Sequence, residues 1–155
     1  MKNRHISSKI LEATSKYPVI TITGPRQSGK TTLSKHLFKD HKYVSLEDPD
    51  KRQFALEDPK GFLKFYSKAV IDEAQKVPEL FSYIQGIVDE RQEPGQFILT
   101  GSQNFLLMES IGQTLAGRAA IFNLLPFTLR EILGKNPVDP FDPKHKESTL
   151  KMDLF

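Results

Sequence analysis

The chain has 155 residues, and its 22 basic and 19 acidic side chains give a net charge of +3. This length supports one hydrophobic core, so we expect one domain. The basic residues are interspersed with acids, which argues against a nucleic-acid-binding block, and no apolar run is long enough to span a membrane. The lack of cysteine excludes disulfides and zinc–thiolate sites, and an amino terminus without an apolar signal core favours a cytoplasmic location.

Helical and strand patterns alternate along the first half of the chain. Apolar residues at helical spacing predict a first helix over residues 6–14, and the β-branched run 18–23 predicts a buried strand. A second helix is expected to end near Phe38. A strand at 43–46 then precedes two short helices, because two acidic turns each carry a proline at a helix start.

The same alternation continues in the second half. The elements expected there are strands at 69–72, 96–100 and 120–124, and helices over 78–90, from about 105, and from Pro126 to Leu133. Five strands separated by helices predict an α/β fold, a parallel five-stranded sheet in a three-layer α/β/α sandwich. We place the domain at residues 1–134. The proline-rich stretch that follows has no periodicity, so 135–155 is expected to be a loose tail.

Residues 24–31, Gly-Pro-Arg-Gln-Ser-Gly-Lys-Thr, fit the phosphate-loop pattern G-x-x-x-x-G-K-[ST] between a strand and a helix. Backbone N–H groups at the start of that helix converge on phosphate, Lys30 places a positive charge on the β- and γ-phosphates, and the hydroxyl of Thr31 suits Mg²⁺. The alternative is a glycine turn that merely begins a helix. The nucleotide-binding candidates are Gly24, Pro25, Arg26, Gln27, Ser28, Gly29, Lys30, Thr31 and Thr32.

Two acids follow the third predicted strand. Asp72 and Glu73 end an apolar run at the edge where parallel sheets bind ligands, so we expect Asp72 to share a magnesium ion with Thr31. Glu73 is then the candidate general base that deprotonates the attacking water. The alternative is that the acidic pair only caps the following helix.

Polar residues also follow the fourth predicted strand. If this strand lies between the first and the third, its carboxyl end faces the γ-phosphate, and one side chain there contacts it. Our candidates, in order, are Ser102, Gln103 and Asn104. The alternative is that they only cap the helix near Phe105.

Four segments together resemble the prokaryotic AAA-type ATPases whose nucleotide domain precedes a carboxy-terminal domain of unassigned role. These segments are TGPRQSGKTTL at 23–33, VIDEAQKVPEL at 70–80, LTGSQ at 99–103 and LAGRAA at 115–120. The resemblance covers residues 1–135 and implies a P-loop NTPase fold with strand order 5-1-4-3-2, ATP as the nucleotide, and hydrolysis. The family pattern continues beyond this chain, so we expect a fragment of a longer ATPase.

The resemblance also implies an arginine that completes the active site. Arg118, after Gly117, is the candidate finger, acting in cis or across a homo-oligomer. The alternative is that Arg118 caps helix carbonyls before the fifth strand.

The resulting hypothesis is magnesium-dependent hydrolysis of ATP to ADP, with ATP and Mg²⁺ as cofactors. Two alternatives remain: a non-hydrolysing nucleotide switch that recruits a protein or DNA, and a small-molecule kinase. Basic residues in the first helix are candidates for DNA contact, and Arg4 and Ile6 are candidate neighbours of the adenine base. The basic residues are Lys2, Arg4, Lys9 and Lys16.

Overall fold

A computed structural model describes residues 4–102 and 105–136 of the chain. Its strands are β1 Val19–Gly24, β2 Lys42–Ser45, β3 Ala69–Asp72, β4 Phe97–Ser102 and β5 Ala119–Asn123. Its α-helices are α1 Ser7–Thr14, α2 Lys30–Leu37, α3 Pro49–Glu57, α4 Pro59–Phe65, α5 Leu80–Arg91, α6 Phe105–Thr114 and α7 Leu129–Ile132. One turn of 3₁₀ helix, Ala74–Lys76, follows β3.

The strands form one parallel sheet in the order β2-β3-β4-β1-β5, which confirms the predicted order 5-1-4-3-2. β4 lies between β1 and β3, so Gly24 at the end of β1 is paired with Ser102 at the end of β4. Because the strands are parallel, the segments that leave β1, β3 and β4 all emerge at one edge of the sheet.

Two apolar clusters cover the two faces of the sheet and confirm the three-layer arrangement. On one face, Ile10 of α1 and Leu33 of α2 pack with Ile20 and Ile22 of β1. On the other face, α3 to α6 pack against the alternate strand residues, among them Val19. β1 is buried along its whole length, as the run of β-branched residues predicts.

The two short helices begin as the sequence predicts. Pro49 and Pro59 occupy the first turns of α3 and α4, where a missing N–H leaves no hydrogen bond unmade. The carboxylates of Asp48 and Asp58 accept hydrogen bonds from the N–H groups of Asp50 and Gly61. Each acid therefore satisfies a free donor at its helix start.

Several boundaries differ from the predictions. The helix expected from residue 78 begins at Leu80, because Glu73 adopts the left-handed conformation and the chain makes the 3₁₀ turn first. The last helix, α7, has only four residues. The expected tail lies outside the described residues from 137 onward. Within the described ranges, no helix has the length and apolar character needed to cross a membrane.

The pH dependence of stability provides a first prediction, which rests on His41. The ring Nε2 of His41 lies 2.8 Å from the carbonyl oxygen of Gly95, and the ring packs edge-on against Phe38. Burial lowers the pKa of His41 below its ordinary value of 6.5, and the charge of Lys68 lowers it further, outweighing the Gly95 hydrogen bond and Asp40. Below pH 6.5 the unfolded chain therefore binds a proton that the folded chain resists.

We expect the free energy of unfolding to fall between pH 8 and pH 5.5, and to fall less in His41→Gln than in the wild-type chain. Urea denaturation at both pH values measures this difference. The variant His36→Gln, which changes an exposed histidine, serves as the control. An equal loss of stability in His41→Gln and wild type would contradict the assignment.

Candidate nucleotide-binding site

The phosphate loop connects the end of β1 to the start of α2 and depends on two glycines. Gly24 has a φ of 151°, and a Cβ there would lie 2.2 Å from the carbonyl oxygen of Leu124. Gly29 caps α2 with a φ of 90°, a conformation that side chains disfavour. The amino end of α2, with its free N–H groups, therefore faces the space above the sheet edge.

Lys30 folds back over this loop. Its Nζ donates hydrogen bonds to the carbonyl oxygens of Gly24, at 3.0 Å, and Pro25, at 2.8 Å. The residue is 6% exposed, so its ammonium group is withdrawn from bulk water. Both acceptors are neutral carbonyls, and no carboxylate among the described residues forms an ion pair with this ammonium group. Such a charge favours an anion in the adjacent space.

A cavity of about 620 Å³ opens beside the loop. It is lined by Arg26, Gln27, Gly29, Lys30, Thr31, Thr32 and Glu73. Six of the predicted nucleotide-binding residues thus meet the predicted general base around one space. Ser28 is buried inside the loop, with its carbonyl oxygen bonded to Arg4.

Asp72 and Thr31 lie together, as the magnesium prediction requires. The Oδ2 atom of Asp72 accepts hydrogen bonds from the hydroxyls of Thr31, at 2.9 Å, and Tyr43, at 2.7 Å, and Oδ1 accepts one from Thr100. A carboxylate has about four acceptor positions, so three donors leave room for one further contact. Because Thr31 donates its proton to Asp72, its oxygen lone pairs remain free for a cation.

Sequence reasoning missed Tyr43 and Thr100 at this site. Burial raises the pKa of the Tyr43 phenol, and the hydrogen bond to Asp72 raises it further, so Tyr43 remains a neutral donor. Tyr43 belongs to no motif, and Thr100 lies in the LTGSQ segment but was not singled out as a site residue. Only the placement of β2 and β4 on either side of β3 brings their hydroxyls to Asp72.

The side chain of Gln75 connects Glu73 to Ser102 by hydrogen bonds. The side-chain amide of Gln75 donates hydrogen bonds to Oε2 of Glu73 and, at 3.1 Å, to Oγ of Ser102. The carboxyl ends of β3 and β4 therefore meet beside the cavity, as the sheet order predicts. Gln103 and Asn104 lie outside the described residues.

Arg118 lies directly before β5, at the amino ends of the strands, opposite the carboxyl ends where the phosphate loop begins. Its guanidinium contacts Asp89, with Nε 2.5 Å from Oδ1, and Nη1 donates to the carbonyl oxygen of Ala116. Its own carbonyl accepts from Val19, the first residue of β1, whereas the phosphate loop follows the last. A six-residue strand separates the two ends by roughly 16 Å. Arg118 therefore lies far from the phosphate loop of its own chain and binds the Ala116 carbonyl, and its role as a finger stays a prediction.

Arg4 is buried and contacts the phosphate loop; it does not lie on an open surface. Its Nε contacts Glu131 at 3.1 Å, its Nη1 donates to the Ser28 carbonyl at 2.9 Å, and its Nη2 donates to Leu125. The guanidinium also lies over the ring of Phe127. These contacts join the amino-terminal segment, the loop and the chain after β5, so the predicted DNA role of Arg4 is not supported.

The other residues of the predicted basic helix give no further support for DNA contact. Lys16 pairs with Glu12 on the same helix, Lys9 is exposed, and Lys2 lies outside the described residues. Ile6 packs against the core, and its contact with the adenine base stays a prediction.

A family model described as an AAA domain matches residues 16–133, a span that includes the phosphate loop, Asp72 and Arg118. The chain belongs to this AAA-domain family. It is also 34% identical over 136 residues to uncharacterized proteins of Mycobacterium tuberculosis and Mycobacterium bovis. The match takes in 85% of this chain and 30% of each relative, so the chain spans under a third of their length.

Solved structures show the same fold at low sequence identity. The Walker-type ATPase of Pyrococcus abyssi superposes with a TM-score of 0.58 at 17% identity, over 84% of this chain and 55% of that one. AMPPCP-bound DnaA from Aquifex aeolicus gives a TM-score of 0.53 at 19% identity, over 77% of this chain and 44% of that one. This AAA domain therefore has the architecture of a P-loop ATPase.

The buried ion pair of the AAA domain provides a second prediction. Burial raises the pKa of Glu131, but hydrogen bonds from the backbone of Thr128 and His5 and from Arg4 outweigh it, and the pKa is lowered overall. We expect Arg4→Met to lower the free energy of unfolding by about 3 to 5 kcal/mol, because Glu131 loses its buried cation.

Urea denaturation measures this loss, and Arg118→Met serves as the control. Arg118 also pairs with an acid, but that pair is largely exposed. Its removal should change stability far less. Equal losses in the two variants would contradict the structural role of the Arg4–Glu131 pair.

Proposed function

We propose that this chain binds ATP with Mg²⁺ and hydrolyses it to ADP and phosphate. The observation that carries the proposal is the meeting of Lys30, Thr31 and Glu73 around one cavity, with Asp72 bonded to Thr31. A phosphate loop alone supports binding. An acid pair at the adjacent strand end adds the groups that hydrolysis needs.

The triphosphate is bound by the amino end of α2 and by Lys30. The ammonium of Lys30 donates hydrogen bonds to the carbonyls of Gly24 and Pro25, and we propose that it exchanges these contacts for contacts with β- and γ-phosphate oxygens. A phosphate oxygen carries negative charge and is therefore the better acceptor for a cation.

The hydroxyl of Thr31 and the carboxylate of Asp72 would hold the magnesium ion. Mg²⁺ prefers oxygen ligands, and when bound it would neutralise the negative charge that develops on the phosphates. Among the described residues, no group of three or more His, Asp or Glu is placed to hold a metal unaided. Phosphate and water oxygens would complete the coordination, as is usual for Mg²⁺ bound with a nucleotide.

Glu73 is the proposed general base. Its carboxylate lines the cavity beside the loop, and one oxygen is free of the Gln75 contact. Glu73 takes a proton from water while the water oxygen bonds to the γ-phosphorus and the bond from that phosphorus to the bridging oxygen breaks. The bond electrons leave with ADP. Ser102, at the end of β4, would contact the γ-phosphate.

The chain matches only 30% of each relative, so we propose that it is the nucleotide-binding part of a longer ATPase. We further propose that this ATPase is cytoplasmic and acts on a protein partner. Because Arg118 lies beside the start of β1, away from the phosphate loop at its end, we propose that a finger role is exercised on a neighbouring copy in a homo-oligomer.

Removal of the Lys30 ammonium tests nucleotide binding. In the wild-type chain, Mg–ATP at about 100 times its dissociation constant should add about 2.7 kcal/mol of stability. We expect Lys30→Ala to fold but to show no nucleotide-dependent rise in melting temperature, because its charge serves the ligand. Lys39→Ala, at an exposed lysine after the same helix, should keep the rise. An undiminished rise in Lys30→Ala would refute the binding site.

Removal of the Glu73 carboxylate tests hydrolysis. Glu73→Gln should bind Mg–ATP as tightly as the wild type but lose about 10² to 10⁴ in turnover, because an amide cannot accept the water proton. Phosphate release measures turnover, and Glu79→Gln, at an exposed acid, is the control. If the wild-type chain binds Mg–ATP but releases phosphate no faster than Glu73→Gln, the protein is a nucleotide switch and not an ATPase.

A further inference from the structure

The side-chain amide of Gln75 lies between the two groups proposed to act on the γ-phosphate and the attacking water. Its Nε2 atom is within hydrogen-bonding distance of both Oε2 of Glu73 and Oγ of Ser102. An ionised carboxylate only accepts hydrogen bonds, so the amide nitrogen and not the oxygen must face Glu73. The two N–H bonds of one amide group therefore join the ends of β3 and β4.

The local backbone brings Gln75 into this position at a cost. Glu73 has a φ of 55° and a ψ of 44°, a left-handed conformation that is unfavourable for a residue with a side chain. The single 3₁₀ turn that follows is closed by a hydrogen bond from Lys76 N–H to the Glu73 carbonyl, and it returns Gln75 beside Glu73. Strain of this kind is kept in folded proteins chiefly where function requires the geometry.

The amide oxygen of Gln75 gives a second indication that stability does not dictate its position. Oε1 is buried and has no hydrogen-bond partner among the described residues. A buried acceptor without a donor is unfavourable, and an apolar side chain of the same size would avoid this loss. The two hydrogen bonds that Gln75 donates to Glu73 and Ser102 are therefore the feature that accounts for an amide at this position.

These two hydrogen bonds leave complementary groups free. Oε2 of Glu73 is held by the amide, so the other carboxylate oxygen remains available to accept a proton from water. Oγ of Ser102 is an acceptor in its contact with Gln75, so the serine hydrogen remains available to donate to a phosphate oxygen. One amide thereby orients an acceptor toward the water and a donor toward the phosphate.

We propose that Gln75 is a positioning residue that fixes Glu73 and Ser102 relative to each other for attack on the γ-phosphate. This inference rests on the proposed ATPase function. Both N–H bonds of the Gln75 amide are used by Glu73 and Ser102, so this amide has no donor left for phosphate or water. Its removal therefore acts on the rate of the chemical step and not on nucleotide affinity.

The test compares three single variants and one double variant of the chain with the wild type. Gln75→Met keeps the size of the side chain and removes both donors, and Ser102→Ala removes one end of the bridge. Gln53→Met is the matched control, because Gln53 also donates its amide to a glutamate, Glu57, at 2.7 Å on the exposed helix α3. Steady-state phosphate release gives kcat and KM, a fluorescent ATP analogue gives affinity, and thermal unfolding checks the fold.

We expect Gln75→Met to lower kcat by about 10- to 100-fold while KM, affinity and melting temperature stay close to wild type. Gln53→Met should leave kcat unchanged. In the double variant Gln75→Met with Ser102→Ala, kcat should fall less than the product of the two single effects, because both changes break the same bridge.

Four results would overturn the inference. An unchanged kcat in Gln75→Met, or multiplicative effects in the double variant, would exclude the bridge and leave the ATPase proposal standing. A fall in affinity equal to the fall in kcat/KM would assign Gln75 to binding. Turnover that is absent from the wild-type chain would overturn the proposed function and this inference together.

Discussion

The carboxylate of Asp72 connects three separate elements through hydrogen bonds from hydroxyl groups. Thr31 reaches it from α2, Tyr43 from β2 and Thr100 from β4. Asp72 is 5% exposed, and a buried carboxylate requires partners of this kind. The contact with Thr31 fixes the start of α2 against the end of β3, and the cavity beside the phosphate loop depends on that placement.

The site also depends on contacts farther from the cavity. Arg4 holds the Ser28 carbonyl within the loop, and Glu131 holds Arg4, so the segment after β5 supports the loop conformation. On the other side, Gln75 supports Glu73. The carboxyl edge of the sheet thus carries two groups of side chains: Lys30 with Thr31, which we propose to bind the phosphates, and Glu73 with Ser102, which we propose to act at the γ-phosphate.

Most of the fold was predictable from the sequence because its signals are local. β-Branched runs marked the strands, acid–proline pairs marked α3 and α4, and the spacing from Gly24 to Thr31 marked the loop. Tyr43, Thr100 and Gln75 were missed as site residues because each acts through a neighbour that only the folded sheet supplies. The motif of Arg118 does not indicate at which end of the sheet the residue lies, so the sequence left its finger role open between cis and trans.

The central claim is that the oriented amides of the loop, Lys30 and the Thr31–Asp72 pair form one site for a magnesium–nucleotide complex. Isothermal titration calorimetry with a non-hydrolysable ATP analogue, in the presence and absence of Mg²⁺, measures this most directly. The claim predicts one binding site per chain and tighter binding when Mg²⁺ is present. No heat of binding, or an affinity that Mg²⁺ does not change, would contradict it.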